Sequence, residues 1–308
     1  MAEKLIVNFK ALPVLPYNMD YLTYCKHCGT YNLGKTACVK CGREEELPLD
    51  QVAVQTVIKQ FIIRQLICIA IYAGLFILSK DFKEIALSTL FILACIGLNT
   101  LIYKKYQEVM VRHEMEQHIL SNVDKIKVDL KKQMGIAIQD VEANDVVAAY
   151  DRFRYLAKLI DNDEVRTYKL ICLRNFQLRS DMPLELKELL QEEYNSYLID
   201  YIYEVAKLRK DLVDDATLSY VVQYKDEVLT KNKGRKIMAT ILLGALKSKF
   251  LLSKYAEEIQ GYLVYFPKER LLRLCKMSGC IKNSQIRAEI LQEVRAVVGE
   301  DEAFTSYL

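Results

Sequence analysis

Two apolar runs constrain this chain more than any other feature. From Phe61 to Ser79 it reads FIIRQLICIAIYAGLFILS, and from Ile85 to Tyr103 it reads IALSTLFILACIGLNTLIY. Each run holds 19 residues, roughly 28 Å of helix and close to a hydrocarbon core of about 30 Å. The one charge in either run is Arg64, a turn inside the first, where its stem can reach back to headgroups. A buried helical hairpin in a soluble core is the alternative. Two full-length runs separated only by KDFKE favour a pair of transmembrane helices at 61–79 and 85–103, joined by a short turn at 80–84.

A connector that short carries no domain, so the expected hairpin leaves both chain ends on one side. Arg43, Lys59, Lys104, Lys105 and Arg112 flank its terminal sides, against Lys80 and Lys83 in the turn, a bias that places both termini in the cytosol. The first residues, MAEKLIVNFKALPVLPYN, contain no apolar stretch of signal-peptide length, so no cleavage is expected.

Ahead of the spans, CGTYNLGKTACVKC (28–41) contains two incompatible patterns. GTYNLGKT, from Gly29 to Thr36, fits the phosphate-loop pattern G-x-x-x-x-G-K-[ST]. Such a loop needs an apolar strand before it and a helix N-terminus after it, so that backbone N–H groups converge on phosphate. Here YLTYCKHC precedes it and ACVKCG follows, and no downstream strand ending in Asp offers a Mg²⁺ partner. The second pattern is a pair of Cys-x-x-Cys turns, Cys25/Cys28 and Cys38/Cys41, each followed directly by a glycine, Gly29 and Gly42. Four soft thiolates at this spacing suit tetrahedral Zn²⁺, and the glycines allow backbone N–H groups to turn toward sulfur. On these residues the stretch resembles the zinc-ribbon, rubredoxin-like modules. The resemblance implies metal ligation by Cys25, Cys28, Cys38 and Cys41 within a ribbon at 21–45, and it covers none of the remaining chain. GTYNLGKTA is then the expected hairpin between the knuckles, with Gly34 as its turn residue and Lys35 and Thr36 as its polar exit. Iron suits the same thiolates, but a cytosolic adaptor favours zinc. His27 is expected to face solvent on its knuckle, and a module with so little core is expected to need its metal to fold.

The chain has nine cysteines. Cys68, Cys95, Cys172, Cys275 and Cys280 lie outside the knuckles and read as buried thiols, with no disulfide framework. A reducing compartment agrees with cytosolic termini.

Residues 1–20 read as an N-terminal segment and 46–60, at the end of the acidic run Glu44 to Glu46, as a linker. After Tyr103 no Pro or Gly interrupts the chain up to Met134. Met115, Ile119, Val123, Ile126, Leu130 and Met134 recur every three or four residues, which predicts an unbroken helical stalk over 104–134. Its stripe either packs on the chain's own following helices, which its shortness favours, or pairs with a second copy into a homo-oligomer. From 135 to 308, short amphipathic segments alternate with EAND, IDND, RSDMP, LVDD, TKNKG, FPKE and IKNS, the expected punctuation of an α-helical, repeat-like cytosolic domain. Helix starts are expected at Asp181 before Pro183, at Asp214 or Asp215, and at Pro267. AAYDRFRYLAKLIDND resembles the second helix of a tetratricopeptide repeat at Ala149, Phe153, Leu156 and Asp161, but the pattern does not recur 34 residues on.

Little speaks for catalysis. HEMEQH places His113 and His118 five apart, about 140° around a helix, so they cannot share an ion as the H-E-x-x-H pair does; both are expected on the stalk surface. Lysine and arginine number 43 against 40 acidic residues, a net charge of +3 that does not suggest a dedicated nucleic-acid binder. The basic clusters at Lys231–Lys236 and at Lys268, Arg270, Arg273 and Lys276 read as solvated faces, then as attraction to anionic lipid or an acidic partner, with nucleic acid third. The expected fold is mainly α: a small zinc ribbon, a transmembrane hairpin and a helical, solenoid-like domain. The expected function is a non-enzymatic membrane-anchored adaptor that docks protein partners within a membrane complex. One rival is a membrane-tethered nucleic-acid binder using Lys26, Lys35, Lys40, Arg43, Tyr21, Tyr24 and Tyr31; a weaker one is a nucleotide-dependent transport subunit.

Overall fold

A computed structural model of the chain describes residues 4–9, 11–34, 37–44, 46–79, 81–299, 301–304 and 307. The protein is mainly helical and forms two compact units: Val14–Gln139 is one, and Asp140–Leu308 together with the segment before Val14 is the other.

The first unit begins with a three-stranded antiparallel sheet, β1 (Leu22–Cys25), β2 (Tyr31–Leu33) and β3 (Glu46–Pro48), in the order β2-β1-β3. Tyr24 lies opposite Tyr31 on one side and Leu47 on the other. The hairpin therefore wraps the first cysteine knuckle rather than joining the two knuckles, because Tyr31–Leu33 pairs backward onto β1. β3 and the helix after it occupy residues expected to be a linker. Pro48, with φ −53°, caps α1 (Leu49–Leu78). A four-residue periodicity of Leu49, Ala53 and Val57 explains the early start: these side chains are buried where α1 packs on β1 and β3.

α1 and α2 (Phe82–Ser121) pack antiparallel. The Phe61 and Tyr103 rings lie 4.4 Å apart, and Tyr72 Oη is 2.9 Å from Thr89 Oγ1. Both helices are long and apolar enough to cross a membrane, with 0% and 6% of their most apolar windows buried. A soluble-core hairpin would be covered on most sides, and these faces are bare. Lys80, in the turn, lies outside the described residues.

The stalk is not one helix. α2 stops at Ser121 and α3 (Val123–Glu142) begins after Asn122, which adopts φ −118° and ψ 13°. Asn122 Nδ2 and Ser121 Oγ both donate to His118 O, at 2.8 and 3.1 Å, so these side chains divert a carbonyl from the helical ladder. Of the apolar stripe, Met115, Ile126 and Leu130 are buried within the single chain, Ile119 and Met134 are half-buried and Val123 is exposed.

The second unit contains α4 (Val146–Leu159), α5 (Asp163–Arg174), α6 (Ser196–Leu208), α7 (Asp215–Gln223), α8 (Lys225–Thr230), α9 (Gly234–Leu242), α10 (Lys249–Lys254), α11 (Ala256–Gln260), α12 (Lys268–Met277) and α13 (Ser284–Val298). Side-chain caps set the starts: Asp145, Asn162, Asn195, Asp214 and Asn283 each accept from backbone N–H groups of the first turn. Pro267 precedes α12 as expected. Asp181 does not open a helix; it accepts from Arg179 Nε at 3.1 Å, and the chain stays irregular until a 3₁₀ turn at Lys187–Leu189. Ala149, Phe153 and Leu156 form the buried face of α4, with Phe153 stacked on Tyr168 of α5. Helix lengths range from 5 residues in α11 to 15 in α13, with no constant repeat.

Candidate metal centre

The two knuckles share one local geometry. Gly29 N donates to Cys25 O and Gly42 N to Cys38 O, both at 2.8 Å, while Cys25 N donates to Thr30 O at 3.0 Å and Cys38 N to Arg43 O at 2.9 Å. Gly29 and Gly42 adopt φ +68° and +70°, the left-handed region that glycine enters without penalty. The Thr30 and Arg43 backbone N–H groups act to lower the thiol pKa of Cys28 and Cys41 respectively.

These turns bring together the four cysteines singled out from the sequence. All four sulfurs lie within 4.8 Å of one another. Cys25 and Cys41 are 3.6 Å apart, and Cys28 and Cys38 are 3.4 Å apart. A tetrahedron of thiolates about 2.3 Å from a central ion has edges of about 3.8 Å, so the cluster matches a four-sulfur site. Its electrostatics are compatible with a bound cation. The Cys28 thiol is lowered to about 6, first by the Thr30 hydroxyl 3.2 Å away, against burial. The Cys41 thiol ends near 12: the Arg43 backbone bond favours its thiolate, but desolvation and the neighbouring thiols outweigh it. Thiols this close cannot all ionise unless a positive ion balances them.

His27 is exposed and within 3.1 Å of Arg43 Nη1, away from ligation. Gly34 takes φ +72° at the end of β2, as a turn residue should. Lys35 and Thr36 lie outside the described residues; 37–44 contains turn and irregular backbone rather than the helix a phosphate loop needs.

What the sequence did not reveal is how the ribbon is mounted. β2 is an edge strand, and its outer edge is filled by side chains of α3. Tyr31 N donates to Asp129 Oδ2 at 3.1 Å, and Gln133 Nε2 donates to Tyr31 O at 2.9 Å. Spaced i, i+4 on one helix face, Asp129 and Gln133 serve the strand as a neighbouring strand would. Tyr31 Oη lies 2.9 Å from His118 Nε2, and Lys125 Nζ sits 5.8 Å from the Tyr31 ring. The ribbon thus grips both sides of the helix break at Asn122. Behind the sheet, Thr23 Oγ1 donates to Glu46 Oε2 at 2.7 Å, and Asn32 Oδ1 accepts from Val39 N at 3.3 Å, tying β2 to the second knuckle. Burial raises the Glu46 carboxyl above the usual range.

Several expectations change. His113 is exposed, but His118 is half-buried against Tyr31 and Tyr24 rather than on the open stalk surface. Tyr21 and Tyr31 are buried and offer no face for base stacking; Lys26, Lys40 and Arg43 remain at the surface. Cys172 and Cys275 are buried, whereas Cys68, Cys95 and Cys280 are only partly so. In the basic clusters, Lys231 pairs with Asp200 at 2.6 Å and Lys268 with Asp301 at 3.3 Å. A scan against protein-family models finds no match, and searches of curated proteins and of solved structures find none either.

Proposed function

We propose that this chain is a non-enzymatic, membrane-anchored adaptor that holds protein partners beside a membrane through a zinc ribbon and a helical domain. The observation carrying the reading is that a metal-ready cluster of four cysteines belongs to the same packed unit as a bare apolar helix pair: β3 runs directly into α1, and Tyr31 is fixed to α2 and α3. Zinc is the metal that four thiolates in a reducing compartment favour, and ligation by Cys25, Cys28, Cys38 and Cys41 would set the relative position of the two knuckles. α1 and α2 then cross the bilayer as a hairpin.

One chain pairing supports this topology. The β-bridge between Leu5 and Phe176, residues that precede and follow the apolar pair in the chain, supports an even number of crossings. The Lys and Arg bias puts that side in the cytosol. The helical unit, a solenoid-like stack of short helices, supplies docking surface, and confinement near the membrane raises the effective concentration of whatever it holds.

The test is affinity purification of the full chain in mild detergent, comparing wild type with Cys28→Ser/Cys38→Ser and Lys35→Ala. On this reading specific protein partners disappear with the cysteine change and persist with the lysine change. Loss of function in Lys35→Ala with metal retained supports the nucleotide reading instead, and steeply salt-dependent nucleic-acid binding supports the other rival.

A further inference from the structure

Residues 4–9 lie on the helical unit as an extended peptide. Leu5 N donates to Asn175 O and Gln177 N donates to Leu5 O, both at 2.9 Å, across the parallel bridge to Phe176. Four residues on, the Phe9 ring enters an aromatic corner, 4.7 Å from Tyr150, 5.3 Å from Phe176 and 5.5 Å from the Arg154 guanidinium.

Floor and occupant differ in kind. Phe176, Tyr150 and Arg154 are 0%, 5% and 5% exposed, and all come from α4 and the residues after α5. The occupant is much barer: Leu5 is 45% and Ile6 72% exposed. Among its described contacts are a pair of backbone hydrogen bonds, which any extended sequence can make, and the Phe9 ring. Beside it lies an open cavity of about 570 Å³ lined by Val7, Leu12, Val147, Asp151 and Tyr155. Backbone pairing with a side-chain anchor is a recurrent way to bind extended peptides, the first giving affinity and the second selectivity.

We propose that this surface is a peptide-binding groove and that residues 4–9 occupy it in cis as an exchangeable latch. The partner it fits is an extended segment with an aromatic residue four positions after the pairing position. The proposal deepens the docking role given to the helical unit and rests on that reading only there. Metal loading and membrane insertion stand or fall separately.

The experiment uses the full chain in detergent micelles and a fluorescent peptide of residues 2–13, read by anisotropy. A chain lacking residues 2–9 binds the peptide, and wild type binds it at least about tenfold more weakly, because its tethered segment competes at high local concentration. Phe9→Ala in the peptide weakens binding at least about tenfold. Phe9→Ala in the full chain, which keeps the backbone pairing but empties the corner, lets the unmodified peptide in. The proposal is overturned if the shortened chain melts cooperatively yet does not bind, if the Phe9→Ala peptide binds equally well, or if wild type binds as tightly as the shortened chain. Loss of cooperative melting in the shortened chain also overturns it, since the segment is then part of the fold.

Discussion

Asp129→Ala and Gln133→Ala should loosen the metal although both residues lie on a helix far along the chain from the cysteines. Asp129 and Gln133 are 6% and 5% exposed, and between them they satisfy the N–H and C=O of the fully buried Tyr31. A hydrogen bond to a charged acceptor contributes about 1.5–3 kcal/mol, and stranding a buried backbone group costs about 1–3 kcal/mol. Each substitution should therefore cost the docked ribbon about 1–3 kcal/mol, with the pair coupled rather than additive. If the metal-free ribbon is undocked or unfolded, that loss appears as weaker metal binding, about tenfold for each 1.4 kcal/mol. The assay is zinc competition against a chromophoric chelator on detergent-solubilised full chain, with hydrogen exchange over residues 21–34 as the structural readout. Single variants should weaken zinc by about 10- to 100-fold and speed exchange there, while His113→Ala, at an exposed position on α2, changes neither. Zinc affinity and exchange that stay at wild-type levels in both variants would refute the claim that α3 holds the ribbon.

Further outcomes follow from other contacts. Burial lowers the His118 pKa, assisted by Lys125 and opposed by Glu114, so the docked ribbon favours neutral imidazole. A lowered folded pKa means the contribution is complete above the unfolded value of about 6.5 and is lost as pH falls through the folded one; His118→Gln should flatten that acid-side loss in hydrogen exchange of 21–34. At Gly42 an added Cβ meets nothing within 4 Å, but φ is +70°, so Gly42→Ala should cost about 1–2 kcal/mol of backbone strain and weaken zinc about tenfold in the chelator assay. In the helical unit, Lys169 is 1% exposed and pairs with Glu185 at 2.7 Å. Glu185→Ala should lower stability by about 3 kcal/mol in thermal melts, and Lys169→Met with Glu185→Leu should recover most of it.

Short-range signals were the legible ones. The Cys-x-x-Cys turns with their glycines, and the helix starts at Asp214 and Pro267, are fixed by residues only a few positions apart and act where their spacing implies, whereas Asp181 before Pro183 opens no helix. The apolar runs were readable because their length alone is informative, although α1 begins at Leu49, well before the run, on a Leu49/Ala53/Val57 stripe that the Pro48 start signal could have flagged. Long-range polar contacts left no trace. Asp129 and Gln133 look like solvent-facing residues on an amphipathic helix until Tyr31 is brought to them, and His118 joins them only through the same strand. The break at Asn122 depends on local side-chain competition that a search for Pro and Gly passes over. Leu5 and Phe9 belong to the helical unit through a contact with Phe176, which no local pattern announces.

The central claim is a metal-bound four-cysteine ribbon mounted on a membrane hairpin, and native mass spectrometry of the full chain released from detergent micelles tests it most directly. The account predicts one zinc per chain in wild type and none in Cys28→Ser/Cys38→Ser, with the metal-loaded species recovered from the membrane fraction. A wild-type chain that carries no metal, or a cysteine variant that keeps its zinc, would contradict it.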